Sequence, residues 1–428
     1  MEHLLFAGYL VLFAWIITKI KFFTNSGLTH SQLILLFLLK VMAGIFYGWI
    51  GVYYGQMAQM IDTWGYHYES LREYEVLRQH PFDFFTNIFR SGYDHGYSNF
   101  FSTHNSWWND IKGTFLIKLM ALFNMFTFGH YYVNVIFICF LTFFGPVAIY
   151  RVMKHIFPGR KIQVLIATFL LPSFLYWTSG LHKEGLIFTG LALMIYAIYF
   201  GFRDGHFSWK HYLVILLGFL LVLVLRNFLI ITILPALLAW ILSEKLKNKW
   251  KPLGVYAVVT LVFIALFFST RFVSGKFDLP QATVNKQEEF LKLGGGSAVE
   301  VKRLEPNFTS FVSNAPQALA LSLIRPYPSD VKHLLSLAAA LEINLLLVLF
   351  LCFLIWRKNG VPLSPFLLFC LLLSFSILMM IGYTVNILGA IVRYRSIILP
   401  FLAIPMIAMI NWQRIGQVLA GNIIDKNN

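Results

Sequence analysis

From Tyr212 to Leu242 the chain reads YLVILLGFLLVLVLRNFLIITILPALLAWIL, apolar almost throughout, with Arg226 and Asn227 at its middle. As one helix the stretch would be ~46 Å long at 1.5 Å per residue, against a hydrocarbon core of ~30 Å. A central arginine would also cost roughly 2.5–3.5 kcal/mol on insertion scales. Two shorter helices of about fifteen residues each, turning at Arg226, avoid both problems.

Similar apolar runs recur along the chain. Of its 428 residues 58% are hydrophobic and 12% charged, against about 25% charged in soluble domains. The expected fold is all-α, a polytopic transmembrane bundle forming a single membrane domain over 1–428. Spans are expected near 3–20, 32–54, 131–150, 162–178, 184–202, 254–270, 334–356, 363–384 and 396–412, with two more from the hairpin at Arg226. That makes about eleven (10–12). Lys and Arg cluster at Arg151/Lys154/Arg160/Lys161, Arg203/Lys210, Lys245–Lys251 and Arg357/Lys358. The positive-inside bias puts these in the cytoplasm, with the N-terminus outside and the C-terminus inside. The same bias accounts for the net charge of +15 without nucleic acid, for which there is no long basic tract. Cys139, Cys352 and Cys370 fall inside apolar runs and read as small hydrophobes, not as a disulfide frame or metal site. MEHLLFAGYL has an acid where a signal peptide carries positive charge, so the first run reads as a retained span.

Two extracytoplasmic loops are large. The first, 55–113, holds seven acids against four bases. Within it Ser70 and Glu73 have the spacing of a capping box, and Leu71, Tyr74 and Leu77 recur at helical intervals until Pro81. The pattern predicts an amphipathic helix on the outer interface. Residues 114–128 carry Lys118 in a short apolar run and read as a second interfacial helix. The loop over 271–333 contains GGGSA at 294–298, read as a flexible tip because no strand–loop–helix context makes it a phosphate cradle.

On this topology Asp62, His67, Glu69, His182, Lys183, Glu184, Arg226, Arg325, Asp330, Asn386, Arg393 and Arg395 gather at or near the outer face. Outer arginines run against the positive-inside bias, and an anionic ligand is the simplest reason for them. Asp62 is placed to act as a general base towards a hydroxyl. In TSGLHKEGLIF, His182 or Lys183 would contact phosphate, while Glu184 tunes the pair or caps the next helix. Pro326 and Pro328 stiffen the approach to Arg325. Arg393 and Arg395, two apart, would share a face of an extended segment and grip phosphate oxygens bidentately. Tyr66, His67, Glu69, Glu342 and Asn386 are accessory candidates; Glu342 is an acid inside a span, able to pair with an outer arginine. The spacing of His67, Asp94, His95 and His104 matches no specific ligand pattern, so no metal site is assigned, and a divalent ion stays open as a cofactor.

Several segments together resemble the membrane-embedded GT-C glycosyltransferases and the related polymerases of bacterial surface polysaccharides. They are IDTWGYHY in the first outer loop, PSFLYWTSGLHKEGL, LVLRNFLI, RPYPSD before a late span and NILGAIVRYRSIILP. The resemblance implies an inverting transfer of a sugar or oligosaccharide from a polyprenyl-phosphate-linked donor to a glycan or lipid-linked acceptor. It implies the extracytoplasmic face of a bacterial inner membrane, in surface-polysaccharide synthesis. Asp62 would deprotonate the acceptor hydroxyl and the outer basic residues would hold the departing phosphate. Many members carry a second acid beside the first-loop Asp; here the nearest is Glu69. Two other classes are carried beside this one: a transporter or flippase of lipid-linked glycans, with polar residues along a path through the bilayer, and a non-catalytic membrane subunit of an envelope complex.

Overall fold

The computed structural model describes residues 1–53, 58–91, 96–97, 106–246, 249–273, 278–358 and 364–419. Among them the fold is all-helical, with two isolated β-bridges and no strand. The chain divides into two compact units, Met1–Val152 with Phe174–Ile230, and Met153–Ser173 with Ile231–Asn428.

The first unit takes in α1 (Glu2–Ile17), α2 (Lys21–Thr24), α3 (His30–Tyr53), α4 (Ala58–Gln79), α5 (Pro81–Thr86), α6 (Trp107–Thr127) and most of α7 (Tyr131–Ile156). After α8 (Lys161–Phe169), which belongs to the second unit, it resumes with α9 (Pro172–Ser179), α10 (Lys183–Arg203) and α11 (Trp209–Leu225). The second unit continues with α12 (Phe228–Leu246), α13 (Pro252–Val273), α14 (Leu279–Leu293), α15 (Phe308–Leu319), α16 (Leu334–Trp356), α17 (Pro365–Thr384), α18 (Leu388–Ser396), α19 (Leu399–Met409) and α20 (Trp412–Leu419).

Among the described residues seven helices are long and apolar enough to cross a membrane: α3, α7, α10, α12, α13, α16 and α17. Two bent pairs, α8 with α9 and α18 with α19, raise the number to nine if each crosses as one, and α1 and α11 are shorter apolar helices. Every apolar run expected to span therefore holds a helix. The most apolar parts of α7 and α10 are 72% buried within the chain, those of α13 and α16 only 17%. Apolar surface so extensive on α13 and α16 needs lipid or a partner to cover it.

The helix break expected at Arg226 is present: α11 ends at Leu225, and α12 begins at Phe228, whose N–H donates to Asn227 Oδ1 at 2.9 Å. Both arms exceed the expected fifteen residues, at 17 and 19. In the first unit α10 and α11 cross at Gly190 and Gly218; a Cβ on Gly218 would sit 2.5 Å from the Gly190 carbonyl oxygen. Small residues at such a crossing let two backbones approach, and the approach carries the end of α11 to the start of α10.

Four local expectations are corrected. Residues 162–178 are not one straight helix, because Pro172 has no N–H to continue α8 and the residue before a proline avoids the helical region. Ser70 does not cap a helix: α4 begins twelve residues earlier, and the buried Ser70 hydroxyl donates to the His67 carbonyl at 2.7 Å. GGGSA is not a loose tip. Ala298 bridges Ile387, the Val299 N–H donates to the Asn386 carbonyl, and the Leu388 N–H donates to that of Ser297. Residues 393–395 lie in a helix, α18, bent 65° from α19, so i and i+2 point about 200° apart instead of sharing a face.

The expected helix of the first loop does stop before Pro81. It packs on α6, where Asn124 Nδ2 donates to Ser70 and Lys118 Nζ donates to Glu73 Oε2 at 3.0 Å. Lys118 lies over the Phe84 ring at 4.1 Å, so its charge is buried between α4, α5 and α6.

Candidate functional site

The site in the first unit is built on the turn between α9 and α10. A helix C-terminus leaves carbonyls without partners, and a cation there is favoured by the helix dipole. Lys40, from the middle of α3 and 3% exposed, supplies it: its Nζ donates to the Thr178 carbonyl at 2.7 Å and lies 3.4 Å from Thr178 Oγ1 and Ser179 Oγ. Next comes Gly180, packed so tightly on the Tyr47 ring that no Cβ would fit. The chain then enters α10 with His182 as N-cap residue, extended at φ −149° and ψ 163°.

Glu184, in the first turn of α10, has no exposed surface. Its carboxylate takes Arg226 NH2 at 2.6 Å through one oxygen and His182 Nδ1 through the other. An ionised carboxylate only accepts, so Nδ1 is the donor and Nε2 is the ring's other working position. Nε2 faces Asp62 of α4, 3.9 Å from Oδ2. His182 and Arg226 are buried, whereas the Asp62 side chain is 45% exposed. Guanidinium, carboxylate, imidazole and carboxylate thus form a chain from the interior of the unit to its surface. Lys183 Nζ stands 5.2 Å above the Tyr66 ring, and the rings of Tyr66 and Tyr47 flank His182 at 6.1 and 6.3 Å. Arg226, which sequence reading assigns to an anionic ligand, is engaged by Glu184.

Other candidates in the first unit go elsewhere. Glu69 is exposed and pairs with Arg72 at 2.9 Å. His67 is not loop surface but 4% exposed, its ring 5.3 Å from Tyr131 and 5.7 Å from Trp64. Burial, reinforced by nearby His130, holds its imidazole down to about 4, so it is neutral at pH 7. Among the described residues no group of three or more His, Cys, Asp or Glu is arranged to hold a metal ion. Asp94, His95 and His104 lie outside the described residues.

The second unit has a different charged centre. Arg395, 1% exposed, donates through NH1 to the carbonyls of Ser322 and Arg325 at 2.9 and 2.8 Å. Glu342 is buried and accepts from the Ser173 N–H at 3.0 Å, with Arg395 as a longer-range charge partner. Arg325 is partly exposed, 3.6 Å from Asp330 and over the Tyr327 ring. Arg393 lies over the ring of Tyr394. Asn386 is buried, its Nδ2 3.5 Å from the Val299 carbonyl.

The first unit therefore brings together Asp62, Tyr66, His182, Lys183, Glu184 and Arg226, and the second Arg325, Asp330, Glu342 and Arg395. Lys40 is the residue that sequence reading missed. Its signal was legible, since a lone lysine inside LLFLLKVMAGIF is a charge within a span and needs a partner. Compared with known proteins, the chain matches no family model, no curated protein and no solved structure. The fold and site define a multi-pass helical membrane protein with a buried acid–histidine–arginine chain that opens to the surface at one carboxylate.

Proposed function

We propose that the chain transfers a sugar or oligosaccharide from a polyprenyl-phosphate-linked donor to a hydroxyl-bearing glycan or lipid-linked acceptor. The observation that carries this reading is the alignment of Asp62, His182 and Glu184. The Asp62 carboxylate takes the proton from the acceptor hydroxyl. The acceptor oxygen then attacks the anomeric carbon, the bond from that carbon to the phosphate oxygen breaks, and the phosphate leaves with the electron pair, inverting the centre. His182, fixed by Glu184, presents Nε2 to Asp62 and can pass the proton on. Glu184 and Arg226 hold that histidine in place, and charge on the leaving phosphate is met by Lys183. A positioned general base contributes roughly 10²–10⁴-fold, and a preorganised cation on the departing anion adds to it.

In this reading the eleven apolar elements all cross, with the N-terminus outside, the C-terminus inside and Asp62 on the extracytoplasmic side of a bacterial inner membrane. In the second unit Arg395 is a positioning residue holding the main chain of the partly exposed Arg325. The resemblance of IDTWGYHY and PSFLYWTSGLHKEGL to the GT-C enzymes supports the donor class. The test is to incubate purified protein in lipid with polyprenyl-phosphate and polyprenyl-diphosphate sugars and to assay glycan product. Transfer from either donor is expected. Donor that crosses the bilayer unchanged would favour a flippase. Neither product nor crossing, beside an active control enzyme, would leave a non-catalytic subunit.

A further inference from the structure

We propose that α5 is a membrane wedge, whose three outward phenylalanines enter the acyl edge of a phospholipid leaflet. α5 runs on into a 3-10 turn, Asn87–Phe89. Along this short element Phe82, Phe85 and Phe89 recur at helical intervals and stand 80, 63 and 68% exposed. Phe84, between them, is buried against Leu77 and Ala121. One face of α5 thus belongs to the core of the first unit, and the other presents phenyl rings. Apolar surface so concentrated marks a binding face. It lies in neither of the two helices that the sequence places at the interface, and it uses none of the residues assigned to glycosyl transfer.

Two further observations give the occupant as lipid. First, the polar groups of the element are already met within the protein. Thr86 Oγ1 donates to the Phe82 carbonyl at 3.0 Å, and Trp107 Nε1 to the Ile88 carbonyl at 2.9 Å. Lys118 Nζ donates to the Phe84 carbonyl and to Asn87 Oδ1. A solvated turn has no need of this, whereas a segment entering hydrocarbon must have its carbonyls satisfied internally. At the edges Arg78 pairs with Glu75 and Arg90 with Asp83, which brings charge to headgroup depth without a demand for anionic lipid.

Second, α5 rests on a helix whose far end meets an apolar one able to cross. The Phe126 ring stacks on Phe137 at 6.3 Å, and its carbonyl accepts from Tyr9 of the apolar α1 at 3.0 Å. Phe137 comes six residues after Tyr131, the start of α7, so Phe126 sits ~9 Å in from the end of that helix. Met125, Phe126 and Phe128 are half-exposed there, as groups facing acyl chains are. Phe84 meets Ala121, five residues back along α6 from Phe126. The phenyl face therefore lies within about one and a half turns of that apolar surface along α6.

The test introduces Phe85→p-benzoylphenylalanine, a photoreactive side chain, into the full chain in phosphatidylcholine nanodiscs. The same replacement at Glu69, exposed on α4, is the polar reference. After irradiation, intact-protein mass spectrometry reads adducts heavier by one phosphatidylcholine. Position 85 should give at least about tenfold more lipid adduct than position 69, since an inserted apolar face lies ~5–10 Å into the headgroup–acyl boundary. Both positions are exposed, so each variant should melt as the wild type does. Equal adduct from the two positions, or cross-linking of position 85 to a second copy of the chain in place of lipid, would overturn the proposal.

Discussion

In the first unit Glu184 is held by two side chains, His182 and Arg226, and the chain of contacts runs on to a half-exposed carboxylate at Asp62. In the second, Glu342 is held by a main-chain amide, and Arg395 by two main-chain carbonyls. The chemistry of the two centres differs accordingly. Side chains meeting side chains can exchange a proton along the series; main-chain groups hold one geometry and have no proton to pass at neutral pH. On the proposed reading, the side-chain partners of the first centre serve the reaction and the main-chain partners of the second hold position. Burial alone does not tell them apart, but the nature of the partner does.

The largest effect should fall on the outward end of the first centre. Asp62→Asn is expected to lower glycan transfer by roughly 10²–10⁴-fold, with a melting temperature close to wild type because the side chain is half-exposed. Equal losses of transfer and of fold would erase the distinction between the units. Next comes Arg226→Met, which strands Glu184 in the interior and should destabilise by about 3–5 kcal/mol in thermal melts. Adding Glu184→Gln should recover part of that loss. Arg395→Met removes two hydrogen bonds to buried carbonyls and should cost less, about 1–3 kcal/mol. A reversed order would contradict the assignment of side-chain and main-chain centres.

A pH dependence sharpens the same contrast. His67 titrates near 6.5 when unfolded and is held down to about 4 when folded, so between those values the unfolded chain binds the extra proton. Its contribution is present in full above about pH 6.5 and lost as pH falls towards 4, up to about 3 kcal/mol. His67→Phe should flatten that part of a stability-against-pH curve. Smallest is Lys40→Met, which leaves the end of α9 uncapped and should cost about 1–2 kcal/mol in melting experiments, with transfer impaired through the displaced His182.

Much of the fold was legible because hydrocarbon enforces simple rules. Apolar run length gave the helices, and the cost of Arg226 in lipid gave the break between α11 and α12. Pairings across the sequence were not legible. Nothing local in SGLHKEG says that Glu184 meets Arg226, forty-two residues away, because Gly190 and Gly218 set that approach and glycine carries no sign of what it faces. The capping-box pattern at Ser70 misled for a related reason. Its spacing also suits a helix interior, where Ser70 donates back to a carbonyl and Glu73 turns to Lys118. Arg393 and Arg395 failed as a pair because their two-residue spacing joins faces in a strand and separates them in a helix.

A double-mutant cycle on glycan transfer, combining Asp62→Asn with His182→Gln, tests most directly whether these residues act as one chain. Each single change should reduce the rate steeply, and the double variant should be scarcely slower than the slower single one, as expected of groups that work as a unit. Losses that multiply, or a His182→Gln variant as fast as wild type, would contradict the account.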